Sequence, residues 1–366
     1  MAKRIRVLVV DDSSSVRSTL RKGLEADPAI EVVATARDGL EALKQVSALQ
    51  PDVVTMDIEM PNMDGLGALE RIMSKHPIPV VMVSSLTREG AEITIKALEL
   101  GAVDFALKTA SRGSKAVRGL IEELTEKIHQ AATANVEGPL KKPVRQKKPA
   151  PPKARKPAEA RKPAEKRKPA EKRVVVIASS TGGPQALRMV VPLLPADLPV
   201  PVLIVQHLPA SFTARMAESL NKASALTVEE ARPGKVSTSG KVYVAPGGVH
   251  MVVTRAGSIR LNLDEPECSV RPSANTTMES AVSAYGDGTL GVVLTGMGSD
   301  GTRGAGLIKK AGGEIIAEDE STCVVYGMPK SVVQAGYADR IVPLPLIASE
   351  IAQACQARQQ RVEVSA

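Results

Sequence analysis

A chain of 366 residues exceeds what one average core serves, so two or three domains are expected, and its 43% apolar content is ordinary for a soluble globular protein. With no Trp, two Phe and four Tyr, it offers no aromatic platform on which single-stranded nucleic acid could stack. The net charge of +8 does not argue for a nucleic-acid partner either: residues 139–173 hold 15 Lys or Arg against three Glu, which leaves −4 for everything else, and that stretch reads better as a solvated spacer than as a binding site.

In chain order, the first apolar run, RVLVV, is interrupted after Val10 by Asp11 and Asp12, so no signal-peptide core forms. Nowhere do about 18 apolar residues follow one another, and no membrane span is expected. Further short apolar runs (EVVATA, DVVTMDI, PVVMVSS, DFALK) alternate with helical patterns such as 39–49 and 88–100 up to about residue 133. Five strands alternating with five helices predict a doubly wound, parallel α/β sheet.

In such a sheet Asp11, Asp12, Asp57, Ser84 and Lys108 all fall at carboxyl-terminal strand ends, where open α/β sheets place their sites. An acidic residue at one strand end is ordinarily a helix cap. Three converging carboxylates, however, repel one another unless a hard cation sits among them, and oxygen ligands suit magnesium. Asp57 can then attack a phosphoryl donor, with Lys108 and the Ser84 hydroxyl contacting the product; Ser85 is a rival for Ser84, and the register of PVVMVS favours the first serine. The joint pattern DD, MDIEMPNMDG, VSS and K resembles the response-regulator receiver family over residues 5–130. That resemblance implies Asp57 as phosphoacceptor, Asp11, Asp12 and Asp57 as Mg2+ ligands, and Ser84 and Lys108 as switch residues. Where the family has a proline after the lysine, Thr109 stands here.

Beyond residue 134 apolar periodicity vanishes and RKPAEA, RKPAEK, RKPAEK follow one another, so an extended basic tether is expected. The β/α rhythm resumes at Val174 with VVVIAS, PVLIVQ, KVYVAP, LGVVLTG and GEIIA, with helical patterns between them and a hairpin near 251–263. This predicts a second, mostly parallel α/β domain. The three cysteines, Cys268, Cys323 and Cys355, are odd in number and far apart, which suits a reducing compartment rather than a disulfide framework.

In VVVIASSTGGPQALRMV a serine sits on a strand–turn–helix connection, beside the unpaired N–H groups of a helix start that can hold an oxyanion. A serine nucleophile needs a base. Of four histidines, His207 follows the strand PVLIVQ and reaches the same sheet edge, whereas His250, after APGG, reads as a structural or supporting residue. Asp300 in LTGMGSDG is placed to orient the imidazole. Glycines and an aspartate are what any turn uses, so this loop counts only jointly with the other two.

The motifs SSTGG, QHLP and TGMGSDG resemble those of the chemotaxis protein-glutamate methylesterases, the CheB family, over residues 174–355. The resemblance implies Ser180 as nucleophile, His207 as general base and acid, Asp300 as its orienting group, and backbone N–H groups of Met297 and the serine turn as oxyanion donors. Thr181 is a candidate for that role or for a helix cap. Ser179 rivals Ser180, which holds the place before TGG. Arg271 in SVRPSANTTM either touches an acidic substrate helix or is structural. Expected bounds are 1–134 for the receiver, 135–173 for the flexible linker, 174–360 for the catalytic domain and 361–366 for a tail. The implied partners are a chemotaxis histidine kinase as phosphodonor and methyl-accepting chemoreceptors as substrates; the implied compartment is the cytoplasm. No cofactor is implied for the esterase reaction. A nucleic-acid-binding or nucleotide-binding output domain is the alternative, and it lacks a helix-turn-helix pattern, a G-x-G-x-x-G loop and a Walker lysine.

Overall fold

The structure, a computed structural model, describes residues 3–85, 87–108, 114–136 and 173–364. Most of the expected linker, Thr109 and the last two residues of the expected tail lie outside them; residues 361–364, expected to begin that tail, instead continue the chain's last helix.

The first unit runs β1 (Ile5–Val10), α1 (Ser14–Leu24), β2 (Ile30–Ala36), α2 (Gly39–Leu49), β3 (Val53–Asp57), α3 (Gly65–Lys75), β4 (Val80–Ser85), α4 (Arg88–Glu99), β5 (Asp104–Lys108) and α5 (Ser114–Ala131). Its strands pair in parallel in the order β2-β1-β3-β4-β5. Val7–Val10 and all of β3 are buried, as strands covered by helices on both faces must be. Helix starts are set locally: the side chains of Ser13, Asp38, Asp64 and Thr87 accept the backbone N–H groups of Val16, Glu41, Gly67 and Gly90. The reversal of strand order between β1 and β3 opens a crevice at their carboxyl ends, where Asp11, Asp12 and Asp57 stand.

The second unit runs β6 (Val174–Ser179), α6 (Gly183–Val190), β7 (Val202–Gln206), α7 (Ala210–Ala223), β8 (Thr227–Glu230), β9 (Lys241–Val244), β10 (His250–Val253), β11 (Ile259–Asn262), α8 (Ala274–Tyr285), β12 (Thr289–Val293), α9 (Thr302–Lys310), β13 (Glu314–Glu318), α10 (Met328–Gln334), β14 (Arg340–Val342) and α11 (Leu344–Val364). Seven strands form a parallel sheet ordered β14-β13-β12-β6-β7-β9-β8, and β10 and β11 form the expected antiparallel hairpin apart from it. The short edge strands β8 and β14 add to the five strands read from the sequence. β6, β7 and β12 lie at the centre, so the loops after them share one rim.

The two units pack together. The chain's two phenylalanines, Phe105 on β5 and Phe212 on α7, meet across the contact with ring centroids 4.6 Å apart, and the Lys127 ammonium lies 5.0 Å from the Phe105 centroid. Glu99, at the end of α4, accepts the Ser219 hydroxyl at 2.5 Å and lies 3.8 Å from the Arg188 guanidinium. Asn135, expected to begin the flexible tether, instead donates its N–H to the Val324 carbonyl, and Val136 is buried, so these two residues pack with the folded units. No helix among the described residues is long and apolar enough to cross a membrane.

Candidate active site

The register of the central strands brings the hydrolase residues together. Ser179 pairs with Gln206 across β6 and β7, so the next residues, Ser180 and His207, stand opposite each other about one strand spacing, ~4.8 Å, apart at the backbone. The His207 N–H donates to the Ser179 carbonyl, and the Gln206 amide donates to the Ser180 carbonyl at 2.9 Å. Two glycines permit this approach. A Cβ on Gly183 would come within 1.9 Å of the Gln206 side-chain oxygen, and one on Gly296 within 2.8 Å of the Ser180 Cβ.

Ser179 and Ser180 differ in what surrounds them. Ser179 is fully buried and donates its hydroxyl to Gln206 Oε1 at 2.7 Å. Ser180 is half-buried, and its hydroxyl makes no hydrogen bond among the described residues, to His207 or to any other group. Histidine and aspartate are joined: His207 Nε2 lies 2.8 Å from Asp300 Oδ2. A carboxylate only accepts, so Nε2 carries the proton and Nδ1 presents its lone pair.

Asp300 is buried and accepts five donors in all. Oδ2 also takes the Ala274 N–H at 2.6 Å, while Oδ1 takes the Ser273 hydroxyl at 2.8 Å and the N–H groups of Asn275 and Gly301 at 3.0 and 2.9 Å. Burial disfavours its charge, but His207 and the N–H groups at the start of α8 outweigh burial and hold the carboxyl below its ordinary pKa. Ser273 and Asn275 were not singled out from the sequence. His250 supports them: its Nδ1 accepts the Ser273 N–H at 3.1 Å and its Nε2 faces the Glu265 carbonyl at 3.1 Å, so neither nitrogen is left for the serine.

The loop 295–298 closes the other side. Its backbone is tied to the serine turn through the Ser180 N–H, which donates to the Thr295 carbonyl at 3.1 Å. Met297 is 44% exposed, and its N–H, like that of Thr181, donates to no group among the described residues. The Thr181 side chain is not a helix cap. Gly182 occupies that place with φ +77°, and the Thr181 hydroxyl donates at 3.1 Å to Asp104 of the first unit. Arg271 donates to the carbonyls of Leu263 and Asp264, the structural alternative.

In the first unit, carboxylate oxygens of Asp11, Asp12 and Asp57 lie within 4.8 Å of one another. Three hard oxygen donors at that spacing, two buried and one exposed, fit a magnesium ion. Lys108 Nζ reaches Asp57 at 2.6 Å and Asp11 at 2.9 Å. Burial opposes the Lys108 cation, yet both carboxylates outweigh it and raise its pKa; burial pushes Asp57 up to about 6 against the pull of Lys108. The Ser84 hydroxyl is not brought to Asp57. It is buried 2.7 Å from the Thr94 hydroxyl on α4, while Ser85 is partly exposed beside Thr87.

A five-stranded parallel receiver carrying an acidic crevice, joined to a second α/β sheet with Ser, His and Asp on one rim, defines the class: a response regulator whose output is a hydrolase. Family models match in that order, a response regulator receiver domain over residues 7–116 and a CheB methylesterase over residues 175–351. A protein-glutamate methylesterase/protein-glutamine glutaminase of Symbiobacterium thermophilum is 48% identical over 350 residues, covering 96% of this chain and 97% of its own. Its counterpart in Thermotoga maritima is 45% identical over 342 residues, covering 93% and 95%. The chain belongs to the CheB methylesterase family. A nucleic-acid-binding or nucleotide-binding output is not supported, since the methylesterase match occupies the region such a domain would need.

Proposed function

We propose that this chain hydrolyses glutamate methyl esters, and deamidates glutamines, on methyl-accepting chemoreceptors, under control of phosphorylation at Asp57. The observation that carries the esterase reading is the buried contact between His207 Nε2 and Asp300, which leaves Nδ1 as a base at the strand end facing Ser180. Nδ1 removes the Ser180 proton as Oγ attacks the substrate γ-carbonyl. The oxyanion forms against the free N–H groups of Thr181 and Met297. His207 returns the proton to the departing methanol, or to ammonia from glutamine. Water then gives a proton to His207 and attacks the acyl-enzyme, and Ser180 leaves with that proton, releasing glutamate.

In the receiver, Asp57 accepts the phosphoryl group of a chemotaxis histidine kinase, with Asp11, Asp12 and Asp57 as the residues to hold Mg2+. When bound, the ion supplies positive charge for the transferring oxygens. The cytoplasm is the compartment in which kinase and receptor signalling domains are both within reach. Control follows from position: Asp104 of the receiver contacts Thr181, next to the nucleophile, and Glu99 contacts α6 and α7. A phosphoryl group on Asp57 competes for Lys108 and Ser84, at the ends of β5 and β4. β5 itself carries Asp104 and β4 leads into α4, which carries Glu99, so the packed population falls.

Methanol release from methylated receptor, with and without a small acyl phosphate, tests this reading. The wild type should accelerate with the donor and Asp57→Asn should not; equal rates for both proteins in both conditions would remove phosphorylation from control. Glu99→Arg sets like charge against Arg188 and removes the acceptor for Ser219. Weakening the contact by about 1.4 kcal/mol multiplies the open fraction about tenfold. Methanol release without donor should therefore rise several-fold, and an unchanged rate would show that this contact does not restrain the enzyme.

A further inference from the structure

Behind the loop 295–298 lies a buried carboxyl that the roles above do not use. Glu318 ends β13 and is 0% exposed. Its Oε2 accepts the Thr295 N–H at 2.8 Å and its Oε1 faces the Thr322 hydroxyl at 3.1 Å. No cation pairs with it among the described residues. Asp319, Glu320, Cys323 and Tyr326 lie on its own connecting segment, β12 brings no titratable side chain, and Lys330 of α10 is exposed. Arg340 of β14 is in register with Ile316 and is paired with Glu314 and Glu350.

Thr295 links this carboxyl to the reacting groups. Its carbonyl accepts the Ser180 N–H, and its hydroxyl contacts the Thr181 carbonyl at 3.0 Å and the Val325 N–H at 2.9 Å. Two residues on, Met297 offers its free N–H. Any shift of Glu318 is therefore passed to both sides of the oxyanion position.

We propose that Glu318 is a positioning residue for ester hydrolysis: its neutral carboxyl seats Thr295, and through Thr295 the Ser180 and Met297 backbones, without placing a second negative charge behind the forming oxyanion. This rests on the esterase reading above. The neutral form satisfies its neighbours, since Oε2 still accepts from Thr295 and a proton on Oε1 donates to Thr322, whose hydroxyl can turn to the Asp319 carbonyl 3.3 Å away. Burial supports the neutral form by pushing the carboxyl up to about 7 against the pull of the Thr295 N–H. In a site of low dielectric, two like charges repel far more than in water.

Glu318→Gln keeps an acceptor for Thr295 and a donor for Thr322 but cannot ionise. In the full chain with saturating phosphodonor, kcat for methanol release should match wild type within about twofold near pH 6. By about pH 8 wild-type kcat should fall about tenfold relative to the variant, the ionised fraction expected of a group titrating near neutrality, with KM little changed. Thermal unfolding reads the ionisation independently. The wild-type fold binds this proton more tightly than the unfolded chain, so its stability relative to Glu318→Gln is lost between the ordinary glutamate value of 4.5 and about 7. The variant's Tm advantage should therefore be absent in acid and present in alkali. Two active enzymes with superimposable kcat profiles would overturn the inference alone, whatever the Tm values show. Two enzymes that release no methanol would overturn the esterase reading and the inference with it.

Discussion

Ser180→Ala is expected to reduce methanol release from methylated receptor by about a million-fold, the loss typical when the nucleophile of a cooperating triad is removed. Stability should change by only about 0.5 kcal/mol or less, because the Ser180 hydroxyl is half-buried and makes no hydrogen bond among the described residues. The neighbouring serine should behave in the opposite way. Ser179→Ala leaves the buried Gln206 Oε1 without its 2.7 Å donor, an unsatisfied acceptor that costs about 1–3 kcal/mol. It should remain an esterase with a lowered Tm. Kinetics and thermal unfolding on the two variants decide between adjacent residues that the motif SSTGG does not separate. Substantial turnover by Ser180→Ala would dismantle the nucleophile assignment.

Much of this arrangement was legible because its residues follow hydrophobic strands. Runs such as VVVIAS and PVLIVQ announce buried parallel strands, and whatever follows them must stand on one rim. Support for Asp300 was less visible. Ser273 precedes α8 and has the chemistry of an N-cap, yet it does not cap its own helix; its hydroxyl turns to Asp300, 27 positions along the chain. Asn275 holds the N–H groups of Gly301 and Gly304 in the same way. Such partners are set by how α8 packs under the loop after β12, which no local periodicity encodes. Thr181 is likewise not a cap: Gly182 holds that place, and the Thr181 hydroxyl instead donates to Asp104 of the receiver. Glu318 directly follows the strand run GEIIA and precedes two more acidic residues, and only the flanking strands reveal its burial. The edge strands β8 and β14 have four and three residues, too few to establish alternation.

Asp300→Asn should lower kcat by about 10⁴-fold with KM nearly unchanged, since the side chain is buried against His207 and does not face the substrate cleft. The argument turns on counting donors. Oδ1 accepts three and Oδ2 accepts two, so an amide oxygen is better placed at Oδ1 and the NH2 group then lies at Oδ2. There it meets the Ala274 N–H donor to donor and gives a hydrogen to His207 Nε2. The imidazole responds by carrying its proton on Nδ1, the nitrogen that must be empty to receive one from Ser180. Loss of the carboxylate also removes the countercharge for the imidazolium formed during attack. Stability supplies a second readout. The Asp300 pKa is depressed in the fold, so its stabilising contribution is present above the unfolded aspartate value and is lost as pH falls through the folded value. The wild type should accordingly exceed Asp300→Asn in Tm at neutral pH, and the difference should shrink in acid. A variant with kcat within tenfold of wild type would mean that His207 keeps its working tautomer without Asp300, and the carboxylate would lose its place in the mechanism.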